Sequence, residues 1–323
     1  MRIQFHLTNQ CNLRCKHCYQ DNYENNTISL ENFKIIIDKI KDYFDPVIYD
    51  ELRISLTGGE PLLVPNFTDY LQYINDKVTN CMILTNGLLL TNELCEFLFN
   101  MDPKMSVQMS LEGPKEINDS IRGTGVYDKV LESIGLLNDH MIYSVISCTI
   151  AQYNYNKIKE LYYDLNTKTK LNTLWFDRCI PFKDVEGVTT EQFRSFINDL
   201  KDLRTEYKNG DTSVIPAYNR ALQFFARDNI MNCYQCTAGT FGFTIMPNGD
   251  VMPCRRLDMV IGNALYEKWE NILEENKQLL DTIDSVPEEC QSCEYGNDCR
   301  GGLKCLTYHT YHDFNHKDVN CLC

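Results

Sequence analysis

The sequence predicts an α/β fold built on a parallel sheet, followed by a smaller cysteine-rich region. Apolar strand signals and helical stripes alternate through the first 180 residues, as strand–helix–strand crossovers require. At 323 residues the chain exceeds what one hydrophobic core usually supports. Nine of its 16 cysteines fall in the last 91 residues, where apolar periodicity fades.

The strand signals are Arg2–Leu7, Leu52–Thr57, Cys81–Thr85, Met105–Leu111, Ile142–Ile150 and Asn172–Asp177. In the fourth, Met105, Val107, Met109 and Leu111 alternate with polar neighbours, the period of a half-buried strand. Leu30, Phe33, Ile36, Ile37, Ile40 and Phe44 make the first helical stripe, with Ser29 as N-cap. Further stripes begin at Phe67, Leu94, Val130 and Ile158. Six strands separated by helices imply right-handed parallel crossovers, and such folds place active sites at the carboxyl ends of the strands.

Residues 183–232 read as a helical bridge, with an amphipathic helix from Phe193 to Tyr207 that Gly210 stops. Phe241–Met246 and Val251-Met252 flank Pro247-Asn248-Gly249-Asp250 and predict a hairpin. A helix near Glu267–Leu280 follows. From Pro287 to Cys323 too little apolar sequence remains for a core, so metal sites are expected to hold the segment together. The expected division is therefore 1–182, 183–232 and 233–323.

With 31 Lys and Arg against 45 Asp and Glu, the net charge of −14 argues against a nucleic-acid partner. No stretch approaches the 18 apolar residues of a membrane span, and the N-terminus has no signal-peptide core. A cytoplasmic, reducing location is the expectation, and clustered thiols there are metal ligands rather than disulfides. Cys81, Cys95, Cys148 and Cys179 stand singly in apolar surroundings and read as small buried hydrophobes. The clustered cysteines need another account. Cys11, Cys15 and Cys18 lie just beyond the first strand at x3 and x2 spacing. Three thiolates without a fourth suit a cubane cluster with one open iron; a closed zinc or four-cysteine site is the alternative.

This C-x3-C-x2-C run resembles the signature of the radical S-adenosylmethionine (SAM) superfamily. Other motifs match in order. Thr57-Gly58-Gly59-Glu60-Pro61 follows the second strand, Thr85-Asn86-Gly87 the third, and Ser110-Leu111-Glu112-Gly113-Pro114 the fourth, with Glu112 where the family usually has Asp. Asn118-Asp119-Ser120-Ile121-Arg122 resembles a family segment in which His stands at the Asn118 position. The resemblance implies a partial (βα)6 TIM barrel. It also implies that Gly58, Gly59 and Glu60 receive the SAM ammonium, Ser110 the ribose, Arg122 the carboxylate, and that His17 packs beside adenine. Glycines allow close backbone approach, and an arginine fork matches a carboxylate.

The C-terminal cysteines add a second resemblance. Cys236, 12 residues, Gly249, four residues and Cys254 are followed by Cys290-x2-Cys293-x5-Cys299-x5-Cys305 and then Cys321. This is similar to the SPASM extension of radical SAM enzymes, except that three residues usually separate the cysteines matching Cys299 and Cys305. It implies a cysteine-rich domain with two auxiliary 4Fe–4S clusters, three per chain in all. Position by position, the first would use Cys236, Cys254 and Cys305 with Cys233 as fourth ligand. The second would use Cys290, Cys293, Cys299 and Cys321, with Cys323 an alternative to Cys321. Zinc is the competing reading of Cys290-x2-Cys293.

The resemblance implies reductive cleavage of SAM to a 5′-deoxyadenosyl radical that abstracts a substrate hydrogen. Because SPASM enzymes are mostly peptide or protein maturases, a ribosomal peptide is the expected substrate, with a thioether, a carbon–carbon or carbon–oxygen crosslink, or epimerisation as outcome. The chain opens directly on the first strand, so leader recognition is expected from a separate protein or the barrel rim. A flavodoxin or ferredoxin-type protein is the expected reductant. The alternatives are a small-molecule SPASM dehydrogenase, a non-enzymatic iron–sulfur electron carrier, and an anaerobic sulfatase maturase. The last would have an Asp base directly after the cysteine matching Cys254, where this chain has Arg255. Cys179, ending the sixth strand, is a candidate hydrogen-atom donor.

Overall fold

The computed structural model describes all residues except 21, 45–51, 182–184, 219–221, 223 and 228–229, and gives the backbone alone at 224–227 and 230–232. The first half runs β1 (Arg2–His6), α1 (Leu30–Phe44), β2 (Arg53–Thr57), α2 (Phe67–Ile74), β3 (Asn80–Leu84), α3 (Asn92–Phe99), β4 (Lys104–Ser110), α4 (Lys115–Arg122), α5 (Val126–Asp139), β5 (Tyr143–Ile150), α6 (Ile158–Lys168) and β6 (Thr173–Arg178). The second half runs α7 (Thr190–Asn209), β7 (Ile215–Ala217), β8 (Phe224–Arg227), β9 (Ile230–Cys233), β10 (Gly242–Ile245), β11 (Asp250–Met252), β12 (Gly262–Asn263), α8 (Trp269–Ile283), α9 (Gly296–Cys299) and α10 (Lys304–Tyr311).

Ten strands form one open sheet in the order β12-β11-β10-β1-β2-β3-β4-β5-β6-β7, and β8 pairs with β9 separately. Strands β1 to β7 are parallel throughout, and β1 to β6 follow one another as sequential neighbours. That winding is a partial α/β barrel with its helices outside. The apolar stripes explain the packing: Phe33, Ile36, Ile37 and Ile40 of α1 are buried, and the Phe33 ring meets Phe5 of β1 edge-on at 4.8 Å. Each of the six expected strands begins and ends within one residue of the observed one.

Three features depart from the sequence reading. Helix α4 forms where only a polar motif is visible, because just Asn118 and Ile121 of it are buried. The bridge is helical only through α7, whose N-terminus carries a Thr189–Gln192 capping box; the chain then adds β7 to the sheet beside β6. Pro216 is tolerated there because β7 is an edge strand. Strand β10 lies parallel to β1, pairing Ile3 with Phe243, so the cysteine-rich region continues the barrel sheet. Gly242 permits the contact, since a Cβ there would collide with the Arg2 carbonyl. The expected boundary at 182/183 lies outside the described residues.

Candidate active site at the barrel mouth

The loop from β1 to α1 carries Cys11, Cys15 and Cys18 to the carboxyl ends of the strands, where the three thiols line a cavity of about 470 Å³. Backbone contacts hold the loop. The Gly59 N–H donates to the Thr8 carbonyl at 2.8 Å and the Glu60 N–H to the Gln10 carbonyl at 2.7 Å. The Lys16 N–H reaches the Ile121 carbonyl at 3.0 Å, and the Asn86 amide donates to the Asn12 side chain at 2.7 Å. A Cβ on Gly58 would strike the Thr8 carbonyl oxygen, and one on Gly59 the Gln10 carbonyl oxygen. The glycines therefore serve the close seating of the cysteine loop on β2. Gly59→Ala is expected to destabilise the protein by about 1–3 kcal/mol and to lower the iron content of the N-terminal site, measured by thermal melting and iron analysis; unchanged values in both would refute this account.

Of the residues expected at the cofactor, His17, Gly58, Gly59, Ser110 and Arg122 line this one cavity. Glu60, which the resemblance places at the SAM ammonium, is not among the lining residues. It is 0% exposed and accepts from the Leu62 N–H at 3.1 Å, the Thr85 hydroxyl at 2.7 Å and the Asn86 N–H at 2.7 Å. Burial pushes its pKa up, against these three hydrogen bonds. Its task is to lock the end of β2 to the end of β3.

Arg122 is already paired. Its Nε and Nη2 donate to Glu112 Oε1 at 2.9 and 2.5 Å, and its Nη1 lies 3.9 Å from Cys15 Sγ. Buried Glu112 also accepts from the Thr149 N–H at 2.8 Å and lies 3.4 Å from His17 Nε2. Burial raises the Glu112 pKa, but the Arg122 charge and the hydrogen bonds from Arg122 and the Thr149 N–H outweigh it and hold the carboxyl below its ordinary range. Burial lowers the His17 pKa, with Arg122 adding to it and Glu112 opposing, so the ring is neutral at pH 7. The His17 Nδ1 is buried without a partner. The Glu112 replacement visible in the sequence thus has a physical role: this carboxylate holds Arg122 and His17 on the cavity wall.

The C-terminal thiols separate into two groups. Cys236, Cys254 and Cys305 lie together against Ile180, Ala238 and Leu303. Burial pushes the Cys305 thiol up to about 12, with Arg256 opposing and the Cys254 and Cys236 thiols adding. Cys290, Cys293, Cys299, Cys321 and Cys323 ring a second, small cavity. The Cys233 thiol, at the end of β9, lies beside Cys299 of the second group, whereas the family resemblance implies it as fourth ligand of the Cys236 group.

Among the described residues no three His, Cys, Asp or Glu side chains close on a single-ion position. Sets of free thiols ringing a cavity are instead the soft donor set that a larger iron–sulfur cluster takes. Burial raises the Cys11 and Cys15 pKa values, against the Leu13 N–H and the Arg122 charge respectively; coordination to a metal would supply the missing stabilisation of the thiolates.

The cavity also takes in the end of β6, where the sequence offered Cys179 as a candidate donor. There Cys179 is 4% exposed, lines the cavity and donates its thiol hydrogen to the Ile180 carbonyl at 3.2 Å. Burial raises its pKa to about 12, against Arg256. Cys254, Arg255 and Arg256, from the loop after β11, complete the wall. Arg256 donates to Asp177 at 2.5 Å and to the Arg178 carbonyl at 2.5 Å. Arg255 stood out in the sequence only as a departure from the sulfatase-maturase pattern, and Arg256 not at all, because β10 brings their loop to the barrel only in three dimensions.

An open α/β barrel with thiol sets at its mouth and in its C-terminal extension defines an iron–sulfur protein of the barrel class. Residues 5–165 match the radical SAM superfamily, and residues 236–294 match the SPASM iron–sulfur cluster-binding domain. The chain belongs to the radical SAM superfamily and carries a C-terminal SPASM domain; it is an enzyme that uses SAM and iron–sulfur clusters. It is 29% identical over 334 residues to the antilisterial bacteriocin subtilosin biosynthesis protein AlbA of Bacillus subtilis, covering 98% of this chain and 70% of AlbA. It is 24% identical to the cysteine-type anaerobic sulfatase-maturating enzyme of Clostridium perfringens, over 91% of this chain and 86% of that one. Among solved structures it superposes on native anSMEcpe with bound AdoMet and Cp18Cys peptide with a TM-score of 0.79 at 19% identity, covering 99% and 93% of the two chains. Streptococcus suis SuiB bound to precursor peptide SuiA gives 0.78 at 17% identity, covering 100% and 76%. No helix among the described residues is long and apolar enough to cross a membrane.

Proposed function

We propose that this enzyme modifies a ribosomally made peptide by hydrogen abstraction. The observation that carries the reading is the single cavity that Cys11, Cys15, Cys18, Cys179 and Cys254 line together. Similarity to AlbA and to the peptide-bound SuiB supports a peptide as the substrate. Bound at the three N-terminal thiols, a reduced 4Fe–4S cluster and SAM supply the 5′-deoxyadenosyl radical.

The chain's own residues orient and enclose. Gly58 and Gly59 seat the cysteine loop, and Ser110, Arg122 and neutral His17 present polar groups to SAM. Glu112 keeps the Arg122 fork from swinging away. Cys236, Cys254 and Cys305 hold one auxiliary cluster at the substrate side. Cys290, Cys293, Cys299 and Cys321 hold another, with Cys233 and Cys323 beside it, making three per chain. Cys179, its thiol protonated at neutral pH, is placed to return a hydrogen atom if the product is an epimer. A flavodoxin- or ferredoxin-type protein is the proposed reductant, and a separate protein or the barrel's own rim is the proposed site of leader recognition. Sulfatase maturation is disfavoured, since Arg255 cannot serve as a base after Cys254.

The test is mass spectrometry of short peptides encoded beside the gene after incubation with reduced enzyme and SAM. A mass change, or deuterium uptake from D2O at one residue, is expected. Unaltered peptides alongside continued 5′-deoxyadenosine formation would count against a peptide substrate. Deuterium uptake that persists in Cys179→Ala would remove the donor role.

A further inference from the structure

Four arginines line the cavity: Arg122, Arg178, Arg255 and Arg256. Three have their charge met by a carboxylate at hydrogen-bond distance. Arg122 holds Glu112 at 2.5 Å, Arg178 holds Asp318 at 2.7 Å and Arg256 holds Asp177 at 2.5 Å. Arg255 differs. Among the described residues its one ion pair is a 3.4 Å contact with Asp258, a surface carboxylate whose side chain is 74% exposed, while its own side chain is only 14% exposed. Among the same residues its buried Nε has no hydrogen-bond partner.

An N–H of a charged guanidinium, desolvated and left without an acceptor, is costly to maintain and marks a place where an acceptor is missing. The geometry keeps the group ready. The guanidinium carbon sits 5.1 Å from the centre of the Tyr19 ring, which restrains its plane and leaves its edge available. The chemistry that fits a fixed arginine edge is a carboxylate, taken by two parallel N–H groups. Asp177, the one carboxylate on the cavity lining among the described residues, is held by Arg256. The described residues of the lining thus leave this N–H to an acceptor that a ligand brings. Arg255 directly follows Cys254 and lines the same cavity as Gly58, Gly59 and the three N-terminal thiols.

We propose that Arg255 anchors a carboxylate of the substrate, so that the peptide presents an acidic side chain or its C-terminus beside the carbon that reacts. This rests on the peptide reading above and narrows it to anionic substrates.

The test uses the full chain, reconstituted with iron and sulfide and loaded with SAM, and three probes in calorimetric titration. N-acetylglutamate N-methylamide offers a side-chain carboxylate, N-acetylalanine a terminal one, and N-acetylglutamine N-methylamide neither. At least one carboxylate probe is expected to bind about tenfold or more tightly than the glutamine probe, and which one does so identifies the source. Arg255→Gln is expected to erase the preference and Arg255→Lys to keep part of it, with iron content and melting temperature at wild-type levels confirming the fold. Equal binding of all three probes overturns the proposal, as does a preference that survives Arg255→Gln. Weakened SAM binding in Arg255→Gln with the probe preference intact would reassign the residue to the cofactor's carboxylate and also overturn it. Peptide modification by the wild-type enzyme is scored separately, so failure of the peptide reading is distinguishable from failure of the carboxylate anchor.

Discussion

Replacing Cys11, Cys15 and Cys18 together by alanine is expected to bring conversion of SAM to 5′-deoxyadenosine down to the uncatalysed background, with a loss of about four irons per chain. No neighbouring donor can substitute. The nearest imidazole nitrogen of His17 faces Glu112 at 3.4 Å, and the Cys254 thiol belongs with Cys236 and Cys305. The loop itself should persist, because backbone hydrogen bonds from Gly59, Glu60 and Lys16 position it. The variant should therefore keep its far-ultraviolet circular dichroism and its remaining iron. Residual dithionite-dependent turnover, or a full complement of iron, would show that these thiols are not the cluster ligands.

Asp318→Asn is expected to cost about 3–5 kcal/mol, the penalty for leaving a buried charge without its counterion. Arg178 and Asp318 form a two-pronged pair at 2.7 and 2.8 Å, with side chains 0% and 1% exposed. Asp318 also accepts from the Leu303 N–H at 2.8 Å and the Asn320 N–H at 2.9 Å. Through these bonds the end of β6 holds the tail that carries Cys321, so the second thiol group should also lose iron. Anaerobic urea denaturation reads the first effect and iron analysis the second; a midpoint within error of wild type would refute it.

The same carboxylate sets an acid dependence. Burial raises the Asp318 pKa, but Arg178 and the two N–H donors outweigh it, and the folded value lies below the ordinary 3.8. A carboxyl depressed on folding adds stability that is present above its unfolded pKa and is lost as the pH falls through the folded value. Wild-type protein should thus weaken as the pH drops below about 3.8, and Asp318→Asn should show less of that decline.

Much of this was legible in the chain. The positions of the six barrel strands follow from local apolar pattern, strictly alternating in β1, β2 and β4 and a continuous apolar run in β3. The cysteine spacings at 11–18 and 236–321 identify the family because ligand chemistry restricts both residue type and separation. The structure had to decide everything that depends on which distant segments meet. Glu60 carries a family motif, yet its carboxylate points into the junction of β2 and β3, where Thr85 and Asn86 satisfy it. Glu112 looks like a mere departure from the family pattern until Arg122 and His17 are seen on either side of it. Cys233 and Cys236 are three residues apart and belong to different thiol groups. Arg255 became a candidate for substrate binding only when β10 paired with β1 and carried its loop over the barrel mouth. By itself the sequence determined the elements and the donor atoms, since both are set by short-range pattern. The tertiary structure decided the partners of each polar group, because burial removes water and leaves every charge dependent on whatever the fold places beside it.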